Sequence, residues 1–219
     1  MLNRLKTTSV LFAGIAAAGS LVSFCPAVSA AAQPTLRAGS HGGDVADMQF
    51  RLQTLGYYKA PVTSTYSMIT RNAVSKFQRA CGLPGDGIAG PLTWRAIKKV
   101  TVNKADLAKL ARIIYSESRG ESYKGQVAVG AVVMNRLHST KFPKTITNVI
   151  MAPSAFAAVQ NGQYWLIPDA AAFQAARDAA RGWDPTSEAL YYYNPAASKS
   201  KWVLSLKVTA KIGNHVFAR

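Results

Sequence analysis

Between Gln126 and His138 the chain runs Val127, Ala128, Val129, Ala131, Val132, Val133 and Met134, apolar on nearly every face of a helix. A helix without a polar face has to be wrapped by other elements in the middle of a domain. The neighbouring sequence must supply that wrapping. Leu107, Leu110, Ile114 and then Glu117 step by three, four and three residues, one inward stripe of a preceding helix that Asp106 is placed to cap. Arg119-Gly120 ends it. Thr147–Met151 and Asp169–Arg181 read as further helices, the latter capped by Asp169 and stopped by Gly182. Strand formers then take over at Ala189–Tyr193 and Lys201–Leu204, and Gly213-Asn214 marks a hairpin. The expectation for residues 105–219 is an α+β domain, mostly helical with a small antiparallel sheet.

A smaller unit is expected ahead of it, over residues 36–99. Val45, Met48, Leu52 and Leu55 form one helical face, with Asp44 or Asp47 as a candidate cap and Gly56 at its end. Ala73, Phe77 and Cys81 repeat the spacing in a second helix that Thr70 is placed to cap, and on that stripe Cys81 reads as a small buried hydrophobe. Pro91 suits the first turn of a third helix carrying Leu92, Trp94 and Ile97. Three short helices around one core is the predicted arrangement, joined to the larger domain by the polar connector Lys98–Lys104.

Residues 1–30 read as a removable export signal. Arg4 and Lys6 precede an apolar run from Val10 to Val22, and Val28-Ser29-Ala30 supplies small residues at the cleavage point. The mature chain would keep 24 basic against 10 acidic residues, a net +14 that favours polyanionic partners. The charges are scattered singly, which argues against nucleic acid as that partner.

The chemistry available is narrow. With Cys25 lost in the signal, Cys81 is the one cysteine left, so no internal disulfide forms and a Cys-His peptidase is excluded. His41, His138 and His215 stand apart without ligand spacing, so no metal is expected. Among the carboxylates, Asp106 and Asp169 read as caps, Asp184 as a turn residue before Pro185, and Asp178 lies beside Arg177 and Arg181. Glu117 stands on an apolar stripe. Two readings fit it: a catalytic acid, or a structural ion pair with Arg112 or Arg119. Glu121, four residues on, is the candidate second acid.

Two stretches carry family resemblances. GDVADMQFRLQTLGYY followed by AVSKFQRACGLPGDGIAGPLTW, within Leu36–Ile97, resembles the peptidoglycan-binding module of many wall hydrolases. It departs where Thr63, Ser64 and Ser67 replace the module's usual glycines, so a turn there must be built without glycine. IIYSESRGE, GQVAVGAVVMNR, FPKTITNVI, GWDP, ALYYYNP and IGNHVFA, in that order across Asp106–Arg219, resemble the SleB/CwlJ family of spore cortex-lytic enzymes and related wall hydrolases. That resemblance implies a lysozyme-like catalytic core with one essential Glu, falling on Glu117. It further implies lytic transglycosylase action on cortex peptidoglycan containing muramic δ-lactam. Leu204 and Leu206 depart from the Trp and Arg that family members often carry after the tryptophan at Trp202.

On the strand, Tyr191 and Tyr193 share a face. They fit either sugar platforms, with Asn194 bonding an N-acetyl group, or a core tyrosine ladder; Phe156 is a weaker candidate of the same kind. The expected activity is glycan-strand lysis of peptidoglycan. The alternatives are a muramidase, glucosaminidase or amidase acting on vegetative wall, and a wall anchor without turnover. The reading calls for no cofactor, expects a monomer and admits an accessory regulatory protein.

Overall fold

The computed structural model describes residues 33–219 except Lys199; the expected export signal, residues 1–30, lies outside the described residues. Helices α1 (Gly43–Thr54), α2 (Met68–Ala80) and α3 (Pro91–Lys99) close around Val45, Met48, Leu52, Val74, Phe77, Trp94 and Ile97. Two buried glutamines organise the loops between them. Gln49 takes the backbone N–H of Thr63 (2.9 Å) and Ser64 (3.1 Å) on its Oε1 and donates to Thr65 O and Thr70 Oγ1, both at 2.9 Å. Gln78 repeats the device on Gly87 N–H (2.9 Å), Ile88 O (2.9 Å) and Thr93 Oγ1 (3.0 Å). The turn built without glycine therefore closes on Ser64 itself, held left-handed at φ 60° by these bonds.

Several local expectations are corrected. Gly42 precedes α1 without a side-chain cap, and Asp47 pairs instead with Arg51 at 2.9 Å. Ser67 precedes α2, while Thr70 is buried as a partner of Gln49. Cys81 sits just past the end of α2 and is exposed, because the helix stops before the stripe reaches it. The connector is packed: Thr101 and Val102 are buried, and Arg51 Nη1 donates to Thr101 O at 3.0 Å.

α4 (Lys104–Ser118) starts on Asn103, whose Oδ1 accepts from Asp106 N–H (2.8 Å) while its Nδ2 donates back to Asp106 Oδ2 (3.0 Å). Asp106 is thus the third helical residue of a reciprocal cap rather than the cap. α5 (Tyr123–His138) is the wrapped helix. One side packs on α4 and α8 (Ala170–Ala180), where a Cβ at Gly130 would stand 2.8 Å from Ile114 Cδ1 and 2.9 Å from Ala179 Cβ. The other side puts Ala128 and Val132 under Phe217, Ala189 and Ile212. Two short helices, α6 (Ile146–Met151) and α7 (Ala157–Gln160), and a 3-10 turn (Gln163–Trp165) cover the remaining flank.

The sheet is antiparallel in the order β1-β3-β2, formed by β1 (Tyr191–Tyr193), β2 (Val208–Ile212) and β3 (His215–Ala218). Tyr192 lies opposite Phe217 and Tyr193 opposite Val216. The hairpin turns at Gly213-Asn214 as expected. Lys201–Leu204 is a helical turn, α9, rather than a strand: Ser200 Oγ accepts from Val203 N–H and Ser205 Oγ closes on Trp202 O at 2.7 Å. Hydroxyls at both ends satisfy the backbone locally and leave no need for a sheet partner.

Candidate active site

Glu117 comes from the last turn of α4, where Ser118 Oγ bonds back to Ile114 O (2.6 Å) and Ser116 Oγ to Arg112 O (2.9 Å). Its two carboxyl oxygens have different partners. Oε1 accepts from the backbone N–H of Ala158 at 2.7 Å, in the first turn of α7. Oε2 accepts from the Tyr192 hydroxyl at 2.8 Å. No ion pair joins Glu117 to Arg112 or Arg119 among the described residues. Arg112 lies over the Trp165 ring, and Arg119 lies over Tyr115 while reaching Gln163 Oε1 at 3.3 Å.

Tyr192 hangs from β1 into the body of the domain, between Phe156 (6.4 Å), Phe217 (5.8 Å) and His215 (5.1 Å, edge-on). Burial, then the neighbouring Glu117 carboxylate, holds its phenol well above the ordinary value of 10.0, so it keeps its proton. Arg136 supports the opposite wall. It is buried, donates from Nε to Leu190 O (2.7 Å) and from Nη1 to Ala155 O (3.4 Å), and lies over the rings of Phe156, Phe142 and Tyr191. It thereby fixes both segments that present partners to Glu117: residues 155–158 and the start of β1. Burial lowers its pKa, and the proximity of Tyr192, Tyr191 and Glu117 works against that.

Glu121 is turned away to the hairpin. Its Oε1 accepts from Asn214 Nδ2 (3.0 Å) and its Oε2 from Asn214 N–H (3.3 Å). A Cβ at Gly213 would overlap its carboxyl group, so the hairpin needs glycine there both for φ 58° and for room.

Among the other predicted residues, Phe156 is only 3% exposed, packed under Arg136, which leaves it no free face for a sugar. Tyr191 and Tyr193 are half-exposed, and Tyr191 meets the exposed Trp202 edge-on at 5.1 Å. Asn194 uses its Oδ1 on Ala196 N–H at 2.9 Å, closing the turn after β1. The residue missed is Tyr192. Alternation along YYY puts it on the face opposite Tyr191 and Tyr193, but no local pattern says that this is the face that meets Glu117.

Comparison with known proteins agrees with this architecture. Residues 41–97 match the family model described as putative peptidoglycan binding domain, and residues 120–218 match the one described as cell wall hydrolase, a span that begins just after Glu117. The chain is 36% identical over 230 residues to a spore cortex-lytic enzyme of Bacillus cereus, covering 88% of this chain and 89% of that one. The crystal structure of the catalytic domain of the Bacillus cereus SleB protein superposes with a TM-score of 0.51 at 48% identity, covering 53% of this chain and 91% of that domain. A structure described as the catalytic domain of the germination-specific lytic transglycosylase SleB from Bacillus anthracis gives a TM-score of 0.52 at 47% identity, covering 54% of this chain and 97% of that one. A carboxyl group held by one fixed and one rotatable donor thus sits in a fold shared with wall-cutting enzymes, and the chain belongs to the spore cortex-lytic enzyme family.

Proposed function

We propose that this protein is a lytic transglycosylase of spore cortex peptidoglycan, with Glu117 as its single acid and base. Residues 1–30 direct export and are removed. Residues 36–99 hold the mature protein on the wall, and residues 105–219 cut the glycan. Nothing in the mechanism calls for a second chain or a cofactor.

The observation that carries this reading is the asymmetry of the two Glu117 oxygens. Ala158 N–H is a fixed donor, so Oε1 is always an acceptor. The Tyr192 hydroxyl both donates and accepts, so Oε2 can carry the proton while Glu117 is the neutral acid and return to accepting once Glu117 is a carboxylate. In the first step the Oε2 proton passes to the glycosidic oxygen as the C1–O bond breaks. In the second, the Glu117 carboxylate takes the proton of the muramic C6 hydroxyl as that oxygen bonds to C1. The product is a 1,6-anhydromuramic end, and Glu117 is protonated again. A hydrolase that uses water generally needs a second carboxyl group across the bond, and the neighbouring candidate, Glu121, is engaged by Asn214.

The test is mass spectrometry of fragments released from purified cortex. Ends one water lighter than hydrolysed muramic acid and resistant to borohydride are expected; reducible ends as the main product would refute the mechanism.

A further inference from the structure

Between the 3-10 turn and α8 the chain exposes three apolar residues in succession. Trp165 is 67% exposed, Leu166 42% and Ile167 87%, while Tyr164 immediately before them is buried in the catalytic core. The exposure is built in. Trp165 N–H bonds Gly162 O at 3.2 Å and Leu166 N–H bonds Gln163 O at 3.0 Å, closing the turn. On the far side Asp169 caps α8 by accepting from Ala172 N–H at 2.8 Å. Ile167 precedes Pro168, which disfavours helical backbone there and keeps the link between the two anchors extended.

A tip this exposed is ill suited to a sugar or a peptide, since such ligands are held in concave sites whose walls cover most of their surface. Three residues are also too few for a stable protein interface, which takes about 800 Å2 from each partner. A lipid surface requires neither a pocket nor a matching shape. It closes around an apolar group that projects into it, and affinity grows with the apolar area and with attraction to anionic headgroups. The charges around the tip suit that partner. Arg112 lies over the Trp165 ring with its guanidinium 5.9 Å from the centroid, and Arg119 reaches Gln163 in the turn. Asp169, the nearest acid in sequence, is engaged as a cap. Residues 105–219 carry 14 basic against 7 acidic groups, so a flat anionic face attracts the whole domain as well as the tip. Tryptophan, with an apolar ring and a polar N–H edge, is also the residue type that gathers at headgroup level.

We infer that Trp165, Leu166 and Ile167 form a tip that inserts into an anionic lipid surface, with Arg112 and Arg119 at the headgroup phosphates. No helix among the described residues is long and apolar enough to cross a membrane, so the attachment is peripheral. Ala158, whose N–H holds Glu117, lies only seven residues before Trp165. A seated tip therefore keeps the acid at the layer of wall next to the membrane. The inference does not depend on which bond Glu117 cuts.

The test is co-sedimentation with vesicles of pure phosphatidylcholine and of a phosphatidylcholine–phosphatidylglycerol mixture. The chain used lacks residues 1–30, so the apolar run from Val10 to Val22 cannot contribute. Wild type should bind the mixed vesicles and bind the pure ones less. Ile167→Asp should bind the mixed vesicles at least about tenfold less, the scale of one aliphatic side chain leaving an apolar phase. Arg112→Gln should bind about fivefold less, the scale of one basic residue at a lipid surface. Ile69→Asp, the same change at an exposed position of α2, should bind as wild type does. Ile167→Asp should also keep the wild-type melting temperature and release fragments from membrane-free cortex at the wild-type rate. A wild type that binds neither vesicle, or both alike, would overturn the inference, as would Ile167→Asp or Arg112→Gln bound as well as wild type. Lost lysis of membrane-free cortex by a folded Ile167→Asp would assign the tip to the glycan and overturn it too.

Discussion

Replacing Glu117 by Gln separates the chemistry of the site from its architecture. The amide oxygen keeps the bond from Ala158 N–H, and the amide NH2 takes the place of Oε2, where the Tyr192 hydroxyl rotates from donor to acceptor. No buried group loses its partner, so stability should stay within about 0.5 kcal/mol of wild type. Only the transferable proton is lost. A positioned general acid contributes on the order of 10²–10⁴ in rate, so wall lysis should fall at least ~10²-fold, about 2.7 kcal/mol of barrier at 1.36 kcal/mol per decade. Glu117→Ala differs in kind. It strands the Ala158 N–H and the Tyr192 hydroxyl, each at about 1–3 kcal/mol, so it should lower the melting temperature as well as the activity. The assay pairs loss of turbidity of purified cortex with thermal melts and with co-sedimentation on insoluble wall, which both variants should pass while folded. A folded Gln variant keeping more than a tenth of wild-type lysis would refute Glu117 as the acid.

Ser64 holds a left-handed turn at φ 60°. Ser64→Gly relieves about 1–2 kcal/mol of strain against about 0.5–1 kcal/mol of added chain entropy, so the denaturation midpoint should rise slightly; a fall would show that the Gln49 bonds leave no strain to relieve. At Gly130, alanine gains about 1 kcal/mol of helix propensity. The new methyl would nevertheless lie 2.9 Å from Ala179 Cβ, which can move only with α8, and overpacking of about 1–3 kcal/mol should win. Gly130→Ala should therefore melt a few degrees lower, and a higher melting temperature would contradict the packing argument. Asp184 is partly buried, which by itself raises its pKa, but bonds from Thr186, Asn135 and the Glu188 N–H hold it below the ordinary 3.8. A depressed carboxylate stabilises above its unfolded pKa and loses that contribution as pH falls through its folded value. Asp184→Asn should thus cost melting temperature at pH 7 and progressively less below pH 3.8; a gap independent of pH would refute this.

What could be read from the chain was whatever repeats locally. The stripe of Leu107, Leu110, Ile114 and Glu117 puts that glutamate on the inner face of α4, and the apolar run of α5 places that helix at the centre. Pro91, Asp169 and Gly213-Asn214 mark their boundaries by fixed backbone chemistry. Less visible was anything decided by a distant partner. Alternation divides Tyr191 and Tyr193 from Tyr192 but does not say which face is inward; the pairing of Tyr192 with Phe217 decides that. Glu121 meets Asn214 across 93 positions of sequence, a contact no local pattern encodes. The paired glutamines did leave a trace. Gln49 follows Met48 and Gln78 follows Phe77, a polar residue set twice against a buried stripe and each time buried with it. The cap of α4 was misread because Asp and Asn three residues apart are both good caps, and only the backbone angles at Asn103 choose between them.

The two glutamates at the end of α4 show how a fold assigns similar groups to different work. Four residues apart on a continuous helix they would share a face, but α4 ends at Ser118, and Glu121 N–H bonds back to Ser118 O at 2.9 Å as the chain turns. That turn sends Glu121 to the hairpin while Glu117 stays on the inner stripe. Clasping Asn214 is not remote from the site. The hairpin brings His215 and Phe217 against the Tyr192 ring, and the Tyr192 hydroxyl holds Glu117 Oε2. Glu121 is therefore linked to Glu117 through three contacts in series, and in making the first of them it gives up the freedom a second acid would need. In the mechanism proposed above Glu117 is then a well-held proton donor, and Glu121, the neighbouring carboxylate among the described residues, is engaged by Asn214 rather than free to activate water. Cleavage in which the sugar's own hydroxyl closes on C1 is the chemistry that such a site can complete unaided.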